Sequence, residues 1–288
     1  MRLHLVDATF ELFRAFYALP EERGPKGQPV NGVRGLIASM LTLLRQPEVT
    51  HVGCATDHVI ESFRNELFDG YKTGEGIDPD LWAQFPLAEE ALGCLGLVVW
   101  PMENFEADDA LASAAHRFRG DVEQVVILSP DKDLTQCVVG RKVVTHDRLR
   151  RRTYDEEAVR AKFGVGPASI PDLLALVGDA ADGIPGIPGW GMKSAAAVLA
   201  EYHHIERIPG AGLRWKVRVR GAARLAAALS SRRQEADLYK QLATLRTDVP
   251  ITETLADLRW DGVPRRRYRD FCDKLGLVAL ADRPEKWA

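Results

Sequence analysis

Nine acidic side chains of this chain fall where they could serve one reaction. Asp7 lies at the end of the apolar run RLHLVDA (2–8), and Asp57 closes THVGCATD (50–57). FEADD places Glu106, Asp108 and Asp109 at the start of a helical pattern just after GLVVWP (96–101). Asp131 and Asp133 follow VEQVVILSP (122–130), while Asp179 and Asp182 sit three apart in GDAADGIPG. Glu106 and Asp109 share a helical face, where the positive helix N-terminus partly offsets their charge. In open α/β sheets chemistry gathers at the carboxyl ends of strands, and these acids sit at or just beyond such ends. Any one of them serves as readily as a turn or cap residue. The argument rests on five groups occurring in order.

Nine anions in one cleft repel, and divalent cations resolve the repulsion. Hard oxygen ligands without a His or Cys cluster favour Mg²⁺ or Mn²⁺ over zinc. Two such ions would cancel four charges and could clamp the attacking and leaving oxygens of an in-line phosphoryl displacement. The charge distribution agrees. Residues 1–183 hold 19 basic and 29 acidic side chains, whereas residues 184–288 hold 19 and 12. The nine acids account for almost all of the front half's excess. A basic back half suggests a polyanion gripped there.

The elements that must position these groups alternate. Strand-like runs at 2–8, 50–57, 96–101, 122–130 and 142–147 are separated by helical patterns at 31–46, 79–96 and 107–120. That alternation predicts an α/β domain with a mostly parallel central sheet. After about residue 153 the pattern turns helical, with a soft boundary near 150–180. We expect an α/β domain over 1–170 and a helical region over 171–288. No apolar run approaches the ~20 residues of a membrane span, and the N-terminus has no signal-peptide pattern. The cysteines Cys54, Cys94, Cys137 and Cys272 are scattered, which fits a reducing, cytoplasmic setting rather than a disulfide or zinc framework. VVILSPDKDLT contains DxDxT, a feature of haloacid-dehalogenase-type phosphatases. A Ser-Pro pair intervenes, three strand-like runs precede it, and the later spacing is GDxxD, all of which disfavour that reading.

With these residues assembled, the chain resembles the 5′-nuclease (flap endonuclease) family. It is most similar to the bacterial 5′→3′ exonuclease domain of family A DNA polymerases and its stand-alone relatives. The resemblance runs through LHLVDATFELFRAFYAL, SFRNELFDGYKTG, FEADDALAS, ILSPDKDLTQ, LVGDAADGIPGIPGWGMKSAAAVL and LATLRTDVPI, and is weakest over the last ~35 residues. It implies a PIN-like 5′-nuclease fold and a metal-dependent, structure-selective nuclease acting on DNA. Asp7, Asp57, Glu106, Asp108, Asp109, Asp131, Asp133, Asp179 and Asp182 then become metal ligands. Asp7, Asp57, Glu106 and Asp108 lean toward one ion, Asp131, Asp133, Asp179 and Asp182 toward the other, and Asp109 is unassigned.

The same resemblance makes Arg64 and Lys72 phosphate-contacting catalytic residues and Tyr71 an aromatic that stacks on a base. It reads GIPGIPGWG as the hairpin of a helix-hairpin-helix near 183–200. Gly186, Gly189 and Gly191 would let backbone N–H groups approach duplex phosphates, with Lys193 on the following helix. K⁺ is a candidate cation at that hairpin. A separate DNA polymerase is a candidate partner, and a monomer is expected.

Two departures stand out. Gly183 occupies a position where many relatives carry Asn, so a capping contact would be lost. The segment near 71–90, an arch over the single strand in the family, has five acids after Lys72 (Glu75, Asp78, Asp80, Glu89 and Glu90) and no Lys or Arg. Such an arch would repel a threaded 5′ strand. RWKVRVRGAAR (214–224) reads either as a basic phosphate-tracking edge or as a half-buried strand. Two alternatives remain at this stage: a structure-specific DNA-binding protein with little or no cleavage, and a PIN-type ribonuclease.

Overall fold

The computed structural model describes all 288 residues. The first stretch of chain forms β1 (Arg2–Asp7), α1 (Ala8–Ala18), α2 (Asn31–Leu44), β2 (His51–Asp57) and α3 (Phe63–Leu67). Then come α4 (Pro79–Trp82), α5 (Phe85–Cys94), β3 (Val98–Met102), α6 (Ala107–Phe118) and β4 (Gln124–Leu128). The remainder holds β5 (Val143–Asp147), β6 (Arg152–Tyr154), α7 (Glu156–Phe163), α8 (Ile170–Val177), α9 (Met192–Tyr202), α10 (Ala222–Ser231), α11 (Arg233–Ala243) and α12 (Arg265–Leu275). Two compact units result. One comprises Met1–Ile60, Gly74–Ser129 and Thr247–Ala288, and the other Glu61–Thr73 and Pro130–Arg246.

In the first unit β1 pairs in parallel with both β2 and β4, and β2 pairs in parallel with β3. The register sets Asp7 against Ala55 and Asp57 against Met102, so both aspartates end their strands on the carboxyl edge. β1 is buried on both faces after Arg2, as a central parallel strand must be, and reads as a near-continuous apolar run. α2 buries Val33, Leu36, Ile37, Met40, Leu41 and Leu44, a stripe at helical spacing that packs into the unit's core. α12 adds Tyr268, Phe271, Cys272 and Leu275 to the same core. It ends on Gly276 at φ 73°.

The segment read as an arch does not stand clear of this unit from residue 79 onward. It forms α4 and α5, interrupted at Ala83–Gln84, and Leu81, Phe85 and Ala88 are buried in the core. Burying a Leu or Phe side chain contributes about 2 kcal/mol, which holds the segment down. Its acids have local partners. Asp78 caps α4, Asp80 pairs with Arg23, Glu89 bonds His58 Nδ1 at 3.0 Å, and Glu90 pairs with Lys274 at 2.9 Å. The expected repulsion of a threaded strand is reduced accordingly.

In the second unit β5 and β6 form an antiparallel pair, with Thr145 opposite Tyr154. The rest is helical, built around a core that includes Val159, Leu173, Leu176, Val198, Leu229 and Leu242. Arg232 separates α10 from α11, so the helical stretch there is not continuous. RWKVRVR forms no strand. It is irregular, with Trp215 buried and Arg214, Lys216, Arg218 and Arg220 exposed.

Candidate metal centre and nucleic-acid interface

Three aspartates of the second unit meet at a point. Ligand oxygens of Asp133, Asp179 and Asp182 all lie within 4.8 Å of one another. Each is delivered by a turn whose hydrogen bonds follow from local sequence. Asp131 Oδ1 accepts the Asp133 N–H at 2.8 Å, which curls PDKD into the short 3₁₀ turn Asp133–Cys137. Asp179 follows Gly178, the residue that ends α8. The Asp179 and Ile184 backbones exchange two hydrogen bonds at 2.8 Å, closing the loop that carries Asp182, and Asp179 Oδ1 accepts the Ala181 N–H at 3.2 Å.

The electrostatics of this trio are those of an anionic pocket. Asp133 is 6% exposed, and its Oδ1 is a buried oxygen with no hydrogen-bond partner. Burial, followed by the neighbouring charge of Asp131, pushes the Asp133 carboxyl well above its ordinary range, with Lys132 opposing and Asp182 and Asp179 adding. Burial disfavours the Lys132 ammonium as well. The charges of Asp133 and Asp179 and the hydrogen bond to Asp179 outweigh it and raise the amine above its usual value. An orphaned buried oxygen among hard oxygen donors fits a divalent cation. Lys132 is the site residue that sequence reasoning passed over, although its position between two candidate ligands was plain to see.

The second unit also brings Lys72 to Asp182. The Lys72 N–H donates to the Asp182 carbonyl at 3.1 Å, and Nζ lies 3.2 Å from Asp182 Oδ1. Gly183 makes this approach possible. It has φ 74°, and a Cβ built there would stand 2.1 Å from the Gly70 carbonyl oxygen. The glycine that departs from the family's Asn is therefore required by a close backbone contact, which explains it better than a lost cap.

Two readings of neighbouring residues need correction. Arg64 is fully buried, and its guanidinium donates to the Leu242 carbonyl at 2.8 Å and the Thr244 carbonyl at 3.1 Å. Its guanidinium is turned inward, not toward the solvent from which a phosphate would approach. Tyr71 is 4% exposed within the unit's core, so its ring is not offered to a base.

The hairpin splits similarly. Gly186 is buried at φ 74°, and a Cβ there would meet Gly178 N at 2.5 Å, so this glycine serves internal packing. Gly189 and Gly191 are exposed, with no atom within 3.8 Å of a Cβ at the first and none within 4 Å at the second. Gly191 N-caps α9, on which Lys193 is exposed. α8 and α9 are thus joined by a tight glycine-rich hairpin, pinned by Ile187 N–H to Leu176 O at 2.9 Å.

The first unit holds the other five acids at the sheet's carboxyl edge and at the start of α6. Asp7 caps α1 by accepting the Phe10 N–H at 2.9 Å, and its Oδ2 accepts Ser129 Oγ at 2.8 Å. Asp57 Oδ1 accepts the Ala107 N–H at 2.8 Å, tying β2 to the start of α6, while Thr9 Oγ1 accepts the Asp57 N–H at 2.8 Å. Glu106 and Asp109 form a capping box around the first turn of α6, with Asp108 between them. Thr9 and Ser129, which hold the Asp57 backbone and the Asp7 carboxylate, left no signal in the sequence.

One unit is a parallel sheet edged with carboxylates, and the other is a helical unit with a three-aspartate cluster beside a glycine-rich hairpin. The family models agree. Residues 2–164 match the 5′-3′ exonuclease N-terminal resolvase-like domain, and residues 165–266 match the 5′-3′ exonuclease C-terminal SAM fold. The chain belongs to the 5′-3′ exonuclease family. It is 32% identical over 285 residues to a 5′-3′ exonuclease of Aquifex aeolicus, covering 99% of this chain and 95% of that protein. It is 34% identical over 290 residues to DNA polymerase I of Bacillus caldotenax, covering 99% of this chain but 32% of the polymerase. The chain thus spans about a third of the length of the polymerase relatives it matches. In fold it is similar to a bacteriophage T5 flap endonuclease solved as a pseudo-enzyme-product complex with DNA and metal ions. The TM-score is 0.69 at 16% identity, covering 98% of this chain and 100% of that one. No helix is long and apolar enough to cross a membrane.

Proposed function

We propose that this chain is a Mg²⁺- or Mn²⁺-dependent, structure-selective 5′ nuclease that hydrolyses DNA phosphodiesters as a 5′→3′ exonuclease or flap endonuclease. The observation that carries the reading is the convergence of Asp133, Asp179 and Asp182, one with a buried oxygen that accepts no hydrogen bond, in a chain of this family. Asp133, Asp179 and Asp182, with Asp131 behind them, would hold one ion. Asp7, Asp57, Glu106 and Asp108 would serve a second, with Asp109 fixing Glu106 through the capping box. When bound, such an ion would supply Lewis acidity to a phosphate and make water acidic enough to attack near neutral pH.

The remaining work falls to this chain's own groups. Lys72, held at Asp182, brings a positive charge to the edge of the cluster. Arg64 keeps its segment registered against the end of α11, a positioning role rather than a phosphate contact. The exposed backbone at Gly189 and Gly191 and the N-terminus of α9, with Lys193, would take a duplex phosphate, with K⁺ as a bridging candidate. That grip lies within eleven residues of Asp182, so duplex binding and cutting would be linked through one short loop. We also propose a functional division near residue 170, a monomer in the cytoplasm, and a DNA polymerase acting on the same substrates.

The reading is tested with 3′-labelled 5′-flap, nicked and blunt DNA duplexes and a matched RNA duplex, each with Mg²⁺ or EDTA. Mg²⁺-dependent cutting of DNA, lost in Asp133→Ala, is expected. Tight DNA binding without product in either Mg²⁺ or Mn²⁺ would leave a junction-binding protein, and preferential cutting of RNA would leave a ribonuclease.

A further inference from the structure

The trio assigned to a metal already contains a cation. Lys132 Nζ pairs with Asp179 Oδ2 and stands 3.5 Å from Asp133 Oδ1, the buried oxygen that has no hydrogen-bond partner. Asp182, the third member, pairs with Lys72. The two lysines are anchored differently. Lys72 is held by its backbone, through its N–H on the Asp182 carbonyl and through Asn65 Nδ2 on its own carbonyl at 2.9 Å. Lys132 reaches the cluster from the turn before Asp133, with its side chain still 37% exposed.

Three carboxylates with oxygens this close, two of them on buried residues, repel one another unless a counter-charge stands among them. Lys132 supplies one to the two deepest members. Yet a small divalent ion demands the same oxygens, and an ammonium group cannot share them with it. We propose that Lys132 is the built-in counter-cation of the metal-free protein. It holds Asp133 and Asp179 in ligand geometry and competes directly with the divalent ion for their oxygens. The inference rests on the metal reading above and deepens it. Lys132 becomes a residue that sets metal affinity, at the cost of weaker binding, while keeping the empty site folded.

The test uses EDTA-stripped full-length protein at constant ionic strength. Mn²⁺ binding is followed by the electron paramagnetic resonance of free Mn²⁺, and melting is recorded with and without saturating Mn²⁺. The wild type is compared with Lys132→Met, which keeps the stem and removes the charge, and with Lys132→Arg, which keeps the charge. Asp179→Asn identifies which binding event belongs to the trio. At these distances one removed unit charge changes cation affinity on the order of tenfold. Lys132→Met should therefore bind Mn²⁺ about tenfold more tightly at that site, melt lower without metal, and gain more from Mn²⁺ than the wild type gains. Lys132→Arg should stay within about twofold of the wild type. Equal affinity in all three proteins, or weaker binding by Lys132→Met, overturns the counter-cation role and leaves the metal reading standing. Absence of any Mn²⁺ binding sensitive to Asp179→Asn overturns both.

Discussion

Replacing Gly183 with alanine probes the contact that brings Lys72 to the carboxylate trio. Two costs are separable there. A non-glycine residue in the left-handed region costs about 1–2 kcal/mol. The new methyl would also stand 2.1 Å from the Gly70 carbonyl oxygen, roughly 1 Å inside any distance that real Cβ atoms show, and the obstacle is backbone. Overpacking of this kind adds about 1–3 kcal/mol. Gly221 is the internal control. It lies in the same unit at φ 75°, yet a Cβ there finds its nearest atom, from Arg224, at 4.0 Å. Gly221→Ala should therefore lose only the conformational cost, and Gly183→Ala about 1–3 kcal/mol more in urea denaturation of metal-free protein. Because the strain falls on Gly70, two residues before Lys72, Gly183→Ala should also slow Mg²⁺-dependent cutting, whereas Gly221→Ala should not. Losses equal within about 0.5 kcal/mol would refute the claim that the 70–72 segment is seated on the 182–183 loop.

Asp133→Asn removes a buried carboxylate whose charge is disfavoured by burial and by Asp131. It should raise metal-free stability by about 1 kcal/mol while lowering cutting at least about 100-fold, checked by melting and single-turnover assays. Arg64→Met strands two carbonyls and should destabilise by about 3–5 kcal/mol. DNA affinity of the folded variant, measured by fluorescence anisotropy, should stay within about twofold, whereas a direct phosphate contact would weaken binding and flatten its salt dependence. Lys240 pairs at 2.8 Å with Asp172, which is fully buried, so Lys240→Met should cost about 3 kcal/mol near pH 8. Burial opposes the Lys240 ammonium, but hydrogen bonds to Asp172 and Glu206 raise its pKa above 10.5. Its contribution is therefore complete below that pH and is lost as pH climbs through the raised value. The gap between wild type and variant should close in alkaline denaturation.

Local periodicity made the sheet legible. Strand-end aspartates follow directly from β-branched runs, and Asp7 and Asp57 stand at the ends of β1 and β2. The hairpin between α8 and α9 was equally visible, because its glycines and prolines act within a dozen residues. What stayed hidden depends on residues far along the chain. Arg64 read as a phosphate contact, but its acceptors are the carbonyls of Leu242 and Thr244, 178 and 180 residues away. The acids of the supposed arch looked unopposed because Asp80 finds Arg23 and Glu90 finds Lys274, 57 and 184 residues distant. α12 escaped notice because RRRYRDFCDKL is so rich in charge that its stripe of Tyr268, Phe271, Cys272 and Leu275 is diluted. Gly183 shows the reverse case. Its departure from the family was visible, but only the approach of the Gly70 carbonyl explains it.

The claim on which the account turns is that Asp133, Asp179 and Asp182 hold a divalent ion. Anomalous scattering from a crystal soaked in Mn²⁺ tests it most directly. The account predicts a peak about 2.1 Å from oxygens of at least two of the three carboxylates, and its disappearance in Asp179→Asn. A fully soaked crystal with Mn²⁺ bound elsewhere and none between these three aspartates would contradict it.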